Sequence, residues 1–534
     1  MKNILIAIRS IFKKGRHNVM KIVSLGIGLA VGLVLIAKVY FEQSYDDFYP
    51  DRDRVYQVWA KYQQNGGELK DYPQTSGGIA PTMQQQIPEI ETVTRYTSFG
   101  DWTFTMTDTK MKYSGRCIIA DSCFFDILPR PMLIGNAKEV LSTPMYVLIS
   151  SRIAKNIGGD VIGKNFTVDN SPGRTMTIGG VFEEVPENSH SRYDVIVSMA
   201  SAGRFMWEGS PTNMLGNDRY ISYVKLHKGV NPLALEEQVR TFVNSYFPPE
   251  EQQKVGLSID FSFHKLDNLH KELPQVKRMT WILSLLAFAL IFTAVMNYIL
   301  IVISSIVNRS KEVAVHKCYG ASENNIHGMM FGEALVHIVL SLILALLLIL
   351  AFRGTVEELL ATSLDSLLLS NGSLVLLGIC ILVFFVSGFM PGSLYARIPV
   401  ASAFRNYREN KRIWKKALLL VQFVATGFLV TMLVFVARQY TFMVNDRPGY
   451  AYENLAYCGL AGVDSTSRAK ILDEVMRLPG VAAATTVYQL PFEHASGNNI
   501  LLPGGTQELF NIADLYWVCL LYTSDAADDR ISVD

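Results

Sequence analysis

The stretch of sequence that decides the fold begins with the apolar run Thr280–Val307, TWILSLLAFALIFTAVMNYILIVISSIV. It continues directly into Asn308–Ser322, NRSKEVAVHKCYGAS, which is short, amphipathic and ends in Gly-Ala-Ser. An apolar run of this length predicts a helix that crosses a membrane. The charged segment after it, with its terminating glycine, predicts a second helix lying at the membrane face. Such a helix can receive force from a soluble partner, so the sequence predicts mechanical coupling rather than chemistry of its own.

The composition of the 534 residues also indicates a membrane protein. Charged residues make up 18% of the chain and hydrophobic residues 49%, whereas soluble globular chains carry about 25% charged residues. The formal net charge is +1, which favours neither nucleic acid nor an acidic ligand. We therefore predict membrane lipid, and no nucleic acid, among the partners.

Five apolar stretches are long enough to cross the roughly 30 Å hydrocarbon core of a bilayer. Such a number of spans predicts a multi-pass protein of the inner membrane. The predicted spans are residues 19–40, 280–307, 334–352, 374–391 and 417–437.

The placement of charge predicts how the spans are oriented. Residues 1–21 hold six lysines and arginines and no acid, and residues 392–416 hold seven against the single Glu409. Short basic segments stay in the cytoplasm, and four spans separate these two segments, so both are predicted to lie inside. Because successive spans cross the membrane in opposite directions, residues 308–333 are predicted to be cytoplasmic. The periplasmic segments are then residues 41–279, the short loop 353–373 and the residues after 438.

The N-terminal region carries two further patterns. Residues 1–18 place apolar side chains on one helical face and most of the basic ones on the other, which predicts an interfacial helix. Within the first span, Ser24, Gly28 and Gly32 form a stripe of small residues that lets another helix approach closely. We predict a retained anchor rather than a cleaved signal peptide, because no small-x-small cleavage site precedes Tyr40.

The segment 41–279 is too long and too polar to be a loop, and it predicts a domain. Strand-like patches enriched in β-branched and aromatic residues alternate there with helical ones. The predicted fold class is therefore membrane α-helical spans plus an α+β extracytoplasmic domain. Cys117 and Cys123 lie in this domain, and both a disulfide and two free thiols fit their spacing, since spacing alone does not determine Cα geometry.

One motif in this segment imitates a phosphate-binding loop. Gly158–Asn165, GGDVIGKN, satisfies G-x-x-x-x-G-K but has Asn165 where such a loop needs Ser or Thr for magnesium. A helical pattern precedes it and a strand-like one follows, which is the reverse of the order that phosphate binding requires. We therefore predict no nucleotide site here. The sequence also has no G-x-S-x-G motif, no H-E-x-x-H motif and no carboxylate pair that can be placed in one site, so we predict no catalytic residues, no metal site and no cofactor.

Four segments of the chain carry a family resemblance: Ser44–Val58 (SYDDFYPDRDRVYQV), Ala120–Gly135 (ADSCFFDILPRPMLIG), Gly180–His190 (GVFEEVPENSH) and Ser310–Ser322 (SKEVAVHKCYGAS), the last followed by Gly332-Glu333. In their order and spacing they resemble the MacB/FtsX-type permeases of ABC transporters, in particular the large two-repeat members found in Bacteroidetes. The resemblance extends from residue 1 to about residue 515. It implies a MacB-like periplasmic domain over 41–279.

The resemblance implies a permease subunit, not an enzyme, that works with a separate cytoplasmic ABC ATPase. In the family, the segment matching Ser310–Ser322 is the coupling helix that docks on this ATPase, and the extracytoplasmic domain moves when the ATPase dimer closes. The family more often has Arg where this chain has His316. A permease dimer, or a pseudo-dimer of two repeats, and a periplasmic adaptor are further partners that it implies. By position, the coupling residues are Lys311, Glu312, His316, Lys317, Gly320 and Ser322.

A second cycle of the same pattern begins late in the chain. The apolar run Ala417–Val436 is followed by an amphipathic pattern over Arg468–Val481, which predicts the start of an incomplete second periplasmic domain at 438–520. The tail 521–534, LYTSDAADDRISVD, is polar and aperiodic and is unlike the family's continuation. We predict that this tail is non-native and that the chain is truncated at its C-terminal end.

The sequence is compatible with more than one function. The leading prediction is an ABC permease that passes ATP-driven motion to its periplasmic domain, in efflux or in mechanotransmission. Efflux of drugs or peptides, extraction of lipoproteins and activation of a wall hydrolase all fit this architecture. The alternative from another class is a membrane-anchored sensor with a periplasmic ligand-binding domain, which would need a cytoplasmic output.

Overall fold

The computed structural model describes most of the chain between His17 and Ala513. Residues 1–16 of the predicted interfacial helix, residues 401–412 of the basic loop and the 521–534 tail lie outside the described residues. The described residues are 17–64, 67–168, 171–216, 218–369, 372–396, 399–400, 413–446, 454–460, 463, 465–486, 497–500 and 510–513.

Long helices form a bundle, and shorter helices cover a sheet. In chain order the described α-helices are α1 (Asn18–Gln43), α2 (Ile79–Gln86), α3 (Phe124–Ile127), α4 (Ala137–Ser142), α5 (Ser151–Ile157), α6 (Ala202–Phe205), α7 (Glu236–Tyr246), α8 (Pro249–Val255), α9 (Pro274–Ser304), α10 (Ile306–Cys318), α11 (Glu323–Ala351), α12 (Arg353–Leu360), α13 (Leu364–Leu368), α14 (Ser373–Ala396), α15 (Ile413–Asn445) and α16 (Ser465–Met476).

Among the described helices, α1, α9, α11, α14 and α15 are long and apolar enough to cross a membrane. In the bundle, α1 packs against α9 and α11, and α11 packs against α14. The outward faces of these helices expose large apolar side chains such as Phe288, Leu347 and Phe385. Helices in water avoid such surfaces, so hydrocarbon is the solvent that fits them.

The helices extend beyond the predicted spans, for local reasons. α9 starts at Pro274, because proline's fixed φ suits the first helical turn. α11 starts at Glu323, within the predicted coupling segment, because the Ser322 hydroxyl accepts a hydrogen bond from the Asn325 amide and caps the helix. α14 contains Pro391 and continues past it to Ala396. Hydropathy marks the apolar part of a helix, whereas caps and prolines determine where it ends.

The α+β domain is built on one large sheet, and a separate two-stranded antiparallel sheet occurs further along the chain. The order in the large sheet is β11-β1-β10-β3-β4-β9-β6-β8-β5, with β2 paired to β1 and β7 paired to β3 and β8. The described strands are β1 (Val55–Gln64), β2 (Lys70–Tyr72), β3 (Ile90–Met106), β4 (Lys112–Ala120), β5 (Met132–Ile134), β6 (Tyr146–Ser150), β7 (Asn165–Val168), β8 (Ser171–Phe182), β9 (Val195–Ser198), β10 (Ile221–Leu226), β11 (Leu257–Lys265), β12 (Gly497–Ile500) and β13 (Phe510–Ala513).

Both faces of the central strands are buried. Consecutive residues of a strand point to opposite faces, and in β10 the neighbours Tyr223 and Val224 join different clusters. On one face α2 and α7 contribute Met83 and Phe242, and on the other α3 contributes Phe124. Helices on both faces of the sheet give the domain a core of its own.

The chain divides into two compact units. One comprises Met1–Asp101, Gly115–Lys164 and Met176–Ala451 and includes the bundle and most of the sheet. The other comprises Trp102–Ser114, Asn165–Thr175 and Tyr452–Asp534. Within the second unit, the end of β3 pairs antiparallel with β7, where the rings of Phe104 and Phe166 lie 4.8 Å apart.

A buried carboxylate joins the end of α1 to the sheet. Asp46 is fully buried and has a positive φ of 58°, a conformation that Asp tolerates better than most residues. Its side chain accepts hydrogen bonds from Ser189 Oγ (2.7 Å) and His190 Nδ1 (2.5 Å). The other ring nitrogen of His190 bonds to the Tyr223 hydroxyl on β10. This network fixes how the chain leaves the bundle.

We expect Asp46→Ala to lower the free energy of unfolding of the domain by about 2 kcal/mol, because buried donors lose a charged acceptor. Thermal unfolding of the full-length protein in detergent measures the change. Asp47→Ala is the matched control, because its partly exposed carboxylate makes only partly exposed ion pairs, which contribute little. Equal stability of the two variants would contradict the structural role of Asp46.

Candidate coupling site

The predicted coupling segment forms a separate helix at the end of the bundle opposite the α+β domain. α10 follows α9 after the single residue Ser305, which lies between the two helices. The Ser305 hydroxyl donates to the Val302 carbonyl (2.6 Å), and Tyr395 of α14 donates to the same carbonyl (3.1 Å). The Ser305 amide donates to the same carbonyl (3.3 Å), so three donors meet on this one oxygen at the break between α9 and α10.

α10 has a buried face and an exposed face. Val313 and Ala314 are each 1% exposed and belong to the core of the bundle. Lys311 and His316 are exposed on other sides of the helix, and Val315 is 43% exposed. The apolar pair anchors the helix, while the exposed Lys311, Val315 and His316 side chains are available to a partner.

The turn after α10 has a defined conformation. The Ala321 amide donates to the His316 carbonyl and the Gly320 amide to the Lys317 carbonyl, both at 3.0 Å. This is the hydrogen-bond pattern of a Schellman cap, which needs a left-handed residue, and Gly320 has a φ of 84°. No atom lies within 4 Å of where a Cβ of Gly320 would be. The position requires glycine for its backbone conformation, not for lack of space.

The structure divides the six predicted coupling residues into three pairs. Lys311 and His316 are exposed, whereas Gly320 and Ser322 shape the turn and cap α11. The remaining pair is half-buried: Glu312 and Lys317. The Lys317 Nζ donates to the carbonyl of Ala396, at the C-terminal end of α14 (2.6 Å), where a cation also complements the helix dipole. Lys317 therefore ties α10 to α14 rather than pointing outward.

Sequence reasoning missed the most exposed large side chain of this surface. Tyr319 follows α10 directly and is 89% exposed. The available signal was an aromatic residue immediately before a capping glycine. Exposed tyrosines are over-represented at the centres of protein interfaces. We call Lys311, Val315, His316 and Tyr319 the coupling surface.

The predicted stripe of small residues lies on α1. A Cβ at Gly28 would overlap the Cβ of Ala294 on α9, and one at Gly32 would overlap the Ile291 side chain. The Ser24 hydroxyl donates to the Lys21 carbonyl of its own helix. The two glycines thus lie where α1 and α9 approach too closely for a larger side chain.

Charged groups inside the bundle were also missed. Lys21 of α1 and Glu333 of α11 form a buried ion pair with Nζ and Oε1 3.6 Å apart, and their side chains are 1% and 7% exposed. One turn further along α11, His337 is fully buried and hydrogen-bonds the Tyr298 hydroxyl of α9 (3.2 Å). Ionisable residues in membrane segments are costly and are usually paired. The signal in the sequence was a Lys and a Glu at the ends of otherwise apolar runs.

The segment that matches the G-x-x-x-x-G-K motif does not have the geometry of a phosphate-binding loop. Gly158–Asn165 lies between α5 and β7, so a helix precedes the loop and a strand follows it. The loop therefore has no helix N-terminus after it to hold a phosphate. Within the part of the chain that the structure describes, no group of three or more His, Cys, Asp or Glu side chains is placed to hold a metal ion.

Cys117 and Cys123 are separate free thiols in the structure. Cys117 is buried in β4, and Cys123 Sγ donates to the Val93 carbonyl (3.0 Å). Burial raises the pKa of both thiols. Burial thus disfavours the thiolate, which is the reactive form of cysteine, at both positions.

Comparison with known proteins assigns both parts of the chain. Residues 20–242 match the family described as MacB-like periplasmic core domain, and residues 284–400 match the family described as FtsX-like permease C-terminal. The first match covers α1 and most of the α+β domain, and the second covers the helices from α9 to α14. No curated protein matches the chain.

Solved structures of similar domains cover the α+β region. A domain of a permease protein from Porphyromonas gingivalis is 33% identical, and the match covers 41% of this chain and 91% of that one with a TM-score of 0.38. The periplasmic region of MacB from Actinobacillus actinomycetemcomitans is 15% identical over 41% and 92% of the two chains, with a TM-score of 0.27. The extracellular domain of the ABC-type transporter YknZ from Gram-positive bacteria is 11% identical over 38% and 98%, with a TM-score of 0.28.

The predicted fold class, membrane helices with a MacB-like α+β periplasmic domain, is confirmed. Permeases of this kind are membrane components that are not themselves catalytic. The two matched families follow one another along the chain in the order that the four resembling segments predicted, with long helices on either side of the periplasmic domain. The chain belongs to the MacB/FtsX-type permeases of ABC transporters.

Proposed function

We propose that this chain is the permease subunit whose coupling surface docks on a separate cytoplasmic ABC ATPase and passes its motion to the periplasmic domain. In this proposal the end of the bundle that carries α10 lies in the cytoplasm, together with the N-terminus of α1. The single observation that carries the proposal is the pair of faces on α10. One is anchored by Val313 and Ala314, and the other exposes the coupling surface.

The anchoring of α10 supports its role as a transmitter. A docking helix transmits force only if it is fastened to the element that must move. Lys317 fastens α10 to α14, and the break at Ser305 lets it turn without unwinding α9. A force on the coupling surface therefore acts on α9, which α10 follows in the chain, and on α14, to which Lys317 is bonded.

The connection to the periplasmic domain supports the second half of the proposal. Both α1 and α9 run from the bundle into the domain. Near their domain ends, His270 Nε2 lies 2.5 Å from Glu42 Oε2, and the ring of Tyr45 stacks on His270 with centroids 3.5 Å apart. Burial raises the pKa of Tyr45 to about 12, so its ring stays neutral at the junction. A movement of either helix reaches the domain through packed and bonded groups.

The proposal favours mechanotransmission, with efflux as one use of the same movement. The α+β domain has its own core and is joined to rods that cross the membrane, which is the arrangement that converts a cytoplasmic displacement into a periplasmic one. A permease dimer or a pseudo-dimer of two repeats, and a periplasmic adaptor, belong to this proposal.

The test is retention of the ATPase by variants of the coupling surface. Tyr319→Ala should weaken binding about thirtyfold or more, because truncating an aromatic anchor of an interface typically costs about 2 kcal/mol or more. Lys311→Glu should reduce the association rate by reversing an exposed charge. Co-purification of the ATPase with the full-length permease, and titration of the complex in detergent, measure both effects.

Lys254→Glu is the matched control, because it reverses an exposed charge on α8 of the periplasmic domain. It should leave ATPase binding unchanged. Undiminished binding and stimulation of the ATPase by the combined Lys311→Glu, His316→Glu and Tyr319→Ala variant would contradict docking at this surface.

A further inference from the structure

A compact loop lies at the domain end of the bundle. It comprises residues 353–369, which form α12 and α13 between α11 and α14, and we call it the domain-side loop. Glu357 accepts hydrogen bonds from the Arg353 side chain (2.9 Å) and from the Leu364 amide (2.8 Å). Ser363 caps α13 by accepting a bond from the Ser366 amide. These internal bonds make the loop a folded element that can hold a shape under load.

The domain-side loop is bonded to α1. Lys38 Nζ donates to Thr362 Oγ1 (2.7 Å) and pairs with Glu42 on its own helix (2.7 Å). Both charged side chains are less than 10% exposed. Phe41 of α1 and Leu367 of the loop also pack in one apolar cluster. Because buried charged hydrogen bonds are strong and directional, α1 and the loop are fixed to one another.

The same loop is bonded to the periplasmic domain. The Ser363 amide donates to Glu187 Oε2 (3.0 Å). Glu187 belongs to a short segment whose next residue, Asn188, donates to the Ser44 carbonyl (2.7 Å). Ser189 and His190 of this segment hold the buried Asp46 described above. The segment 187–190 therefore joins the loop, the end of α1 and the sheet.

The loop also continues into α14, which is fastened at both ends. At the domain end, a Cβ on Gly372 would overlap the ring of Tyr40, so α14 begins in close contact with α1. At the opposite end, Tyr395 and Ala396 are bonded to α9 and α10. Bonds thus lie at both ends of this part of the chain: Lys317 joins α10 to the end of α14, and Ser363 of the domain-side loop joins Glu187.

We infer that α14 and the domain-side loop form a third connection to the periplasmic domain, beside α1 and α9, with Glu187 and Thr362 as positioning residues at its contact points. The inference rests on the proposed function, because it concerns how motion started at α10 travels. In it, the Glu187–Ser363 bond transmits displacement of α14 to the segment 187–190.

Hydrogen–deuterium exchange of the full-length permease in complex with its ATPase tests the inference. In the wild-type protein, an ATP analogue should change exchange in peptides covering 360–369 and 187–190 together. In Glu187→Ala, the Ser363 amide should exchange about tenfold faster, since its hydrogen-bond acceptor is gone. The nucleotide-dependent change over 187–190 should then fall to less than about half of its wild-type size.

Two further variants keep the outcome interpretable. Glu184→Ala removes an exposed carboxylate from the neighbouring segment that does not touch the loop, and it should behave as the wild type. Thr362→Val keeps the shape of the side chain but removes the acceptor of Lys38, and it should reduce the nucleotide response in the same direction as Glu187→Ala. A merely structural role would change stability in these variants without changing the response to nucleotide.

Two results would overturn the inference. One is an undiminished nucleotide response over 187–190 in both Glu187→Ala and Thr362→Val, and the other is a wild-type loop that does not respond to nucleotide. Failure of the ATPase to bind the wild-type protein is a different result, because it would contradict the proposed function itself.

Discussion

Glu333→Leu alone is expected to destabilise the bundle by about 3–5 kcal/mol, because it leaves the ammonium of Lys21 buried without its carboxylate. The pair joins α1 to α11 in a region where both side chains are nearly inaccessible. Lys21→Met should cost a similar amount for the reciprocal reason. The combined Lys21→Met and Glu333→Leu variant should recover most of the loss, since apolar side chains of similar volume often replace a buried ion pair at little cost.

Thermal unfolding in detergent of the two single variants and the double variant closes a double-mutant cycle. Glu323→Leu is the matched control, because Glu323 is exposed at the start of the same helix and should change stability little. A double variant no more stable than the less stable single variant would show that the two charges do not depend on one another.

Gly28→Leu is expected to separate α1 from α9 and to cost about 3 kcal/mol. Even the first side-chain atom at this position would overlap Ala294, and the backbone carbonyl of Leu290 lies 3.5 Å from the same point. Neither a methyl group on a helix nor a carbonyl can move aside without moving the helix, so overpacking should be relieved only by displacing α1.

The midpoint of thermal unfolding and the yield of monodisperse protein measure this effect. The matched control is Gly378→Leu on α14, where no atom lies within 4 Å of a new Cβ. Adding an apolar side chain there should leave the protein stable. If Gly28→Leu were as stable as Gly378→Leu, the close approach of α1 and α9 would be refuted.

The fold was largely predictable because its signals are local. Apolar runs of about 20 residues identify helices that cross a bilayer whatever they pack against. Patches enriched in β-branched and aromatic residues indicated the strands in the same way. The helix ends were less predictable: α9 and α11 extend past their apolar runs because Pro274 and Ser322 can start a helix in polar sequence.

The site was predictable only in part. The position of the coupling segment followed from its amphipathic pattern and its stop, but the direction of each side chain did not. Lys317 looks like an exposed cation in the sequence and instead bonds to Ala396, because the end of α14 lies beside α10. The Lys21–Glu333 and Glu187–Ser363 contacts join residues far apart in the chain, and no local pattern specifies which distant helices meet.

The unbroken length of α9 determines how far one end of the helix moves when the helix tilts. Its 31 residues make a rod of about 46 Å at 1.5 Å per residue. Pivoted at one end, such a rod that tilts by about 5° swings its far end by about 4 Å, close to the spacing of neighbouring strands in a sheet. A swing of that size exceeds the reach of a hydrogen bond. A few degrees of rocking at one end of α9 are therefore enough to rearrange contacts at the other end.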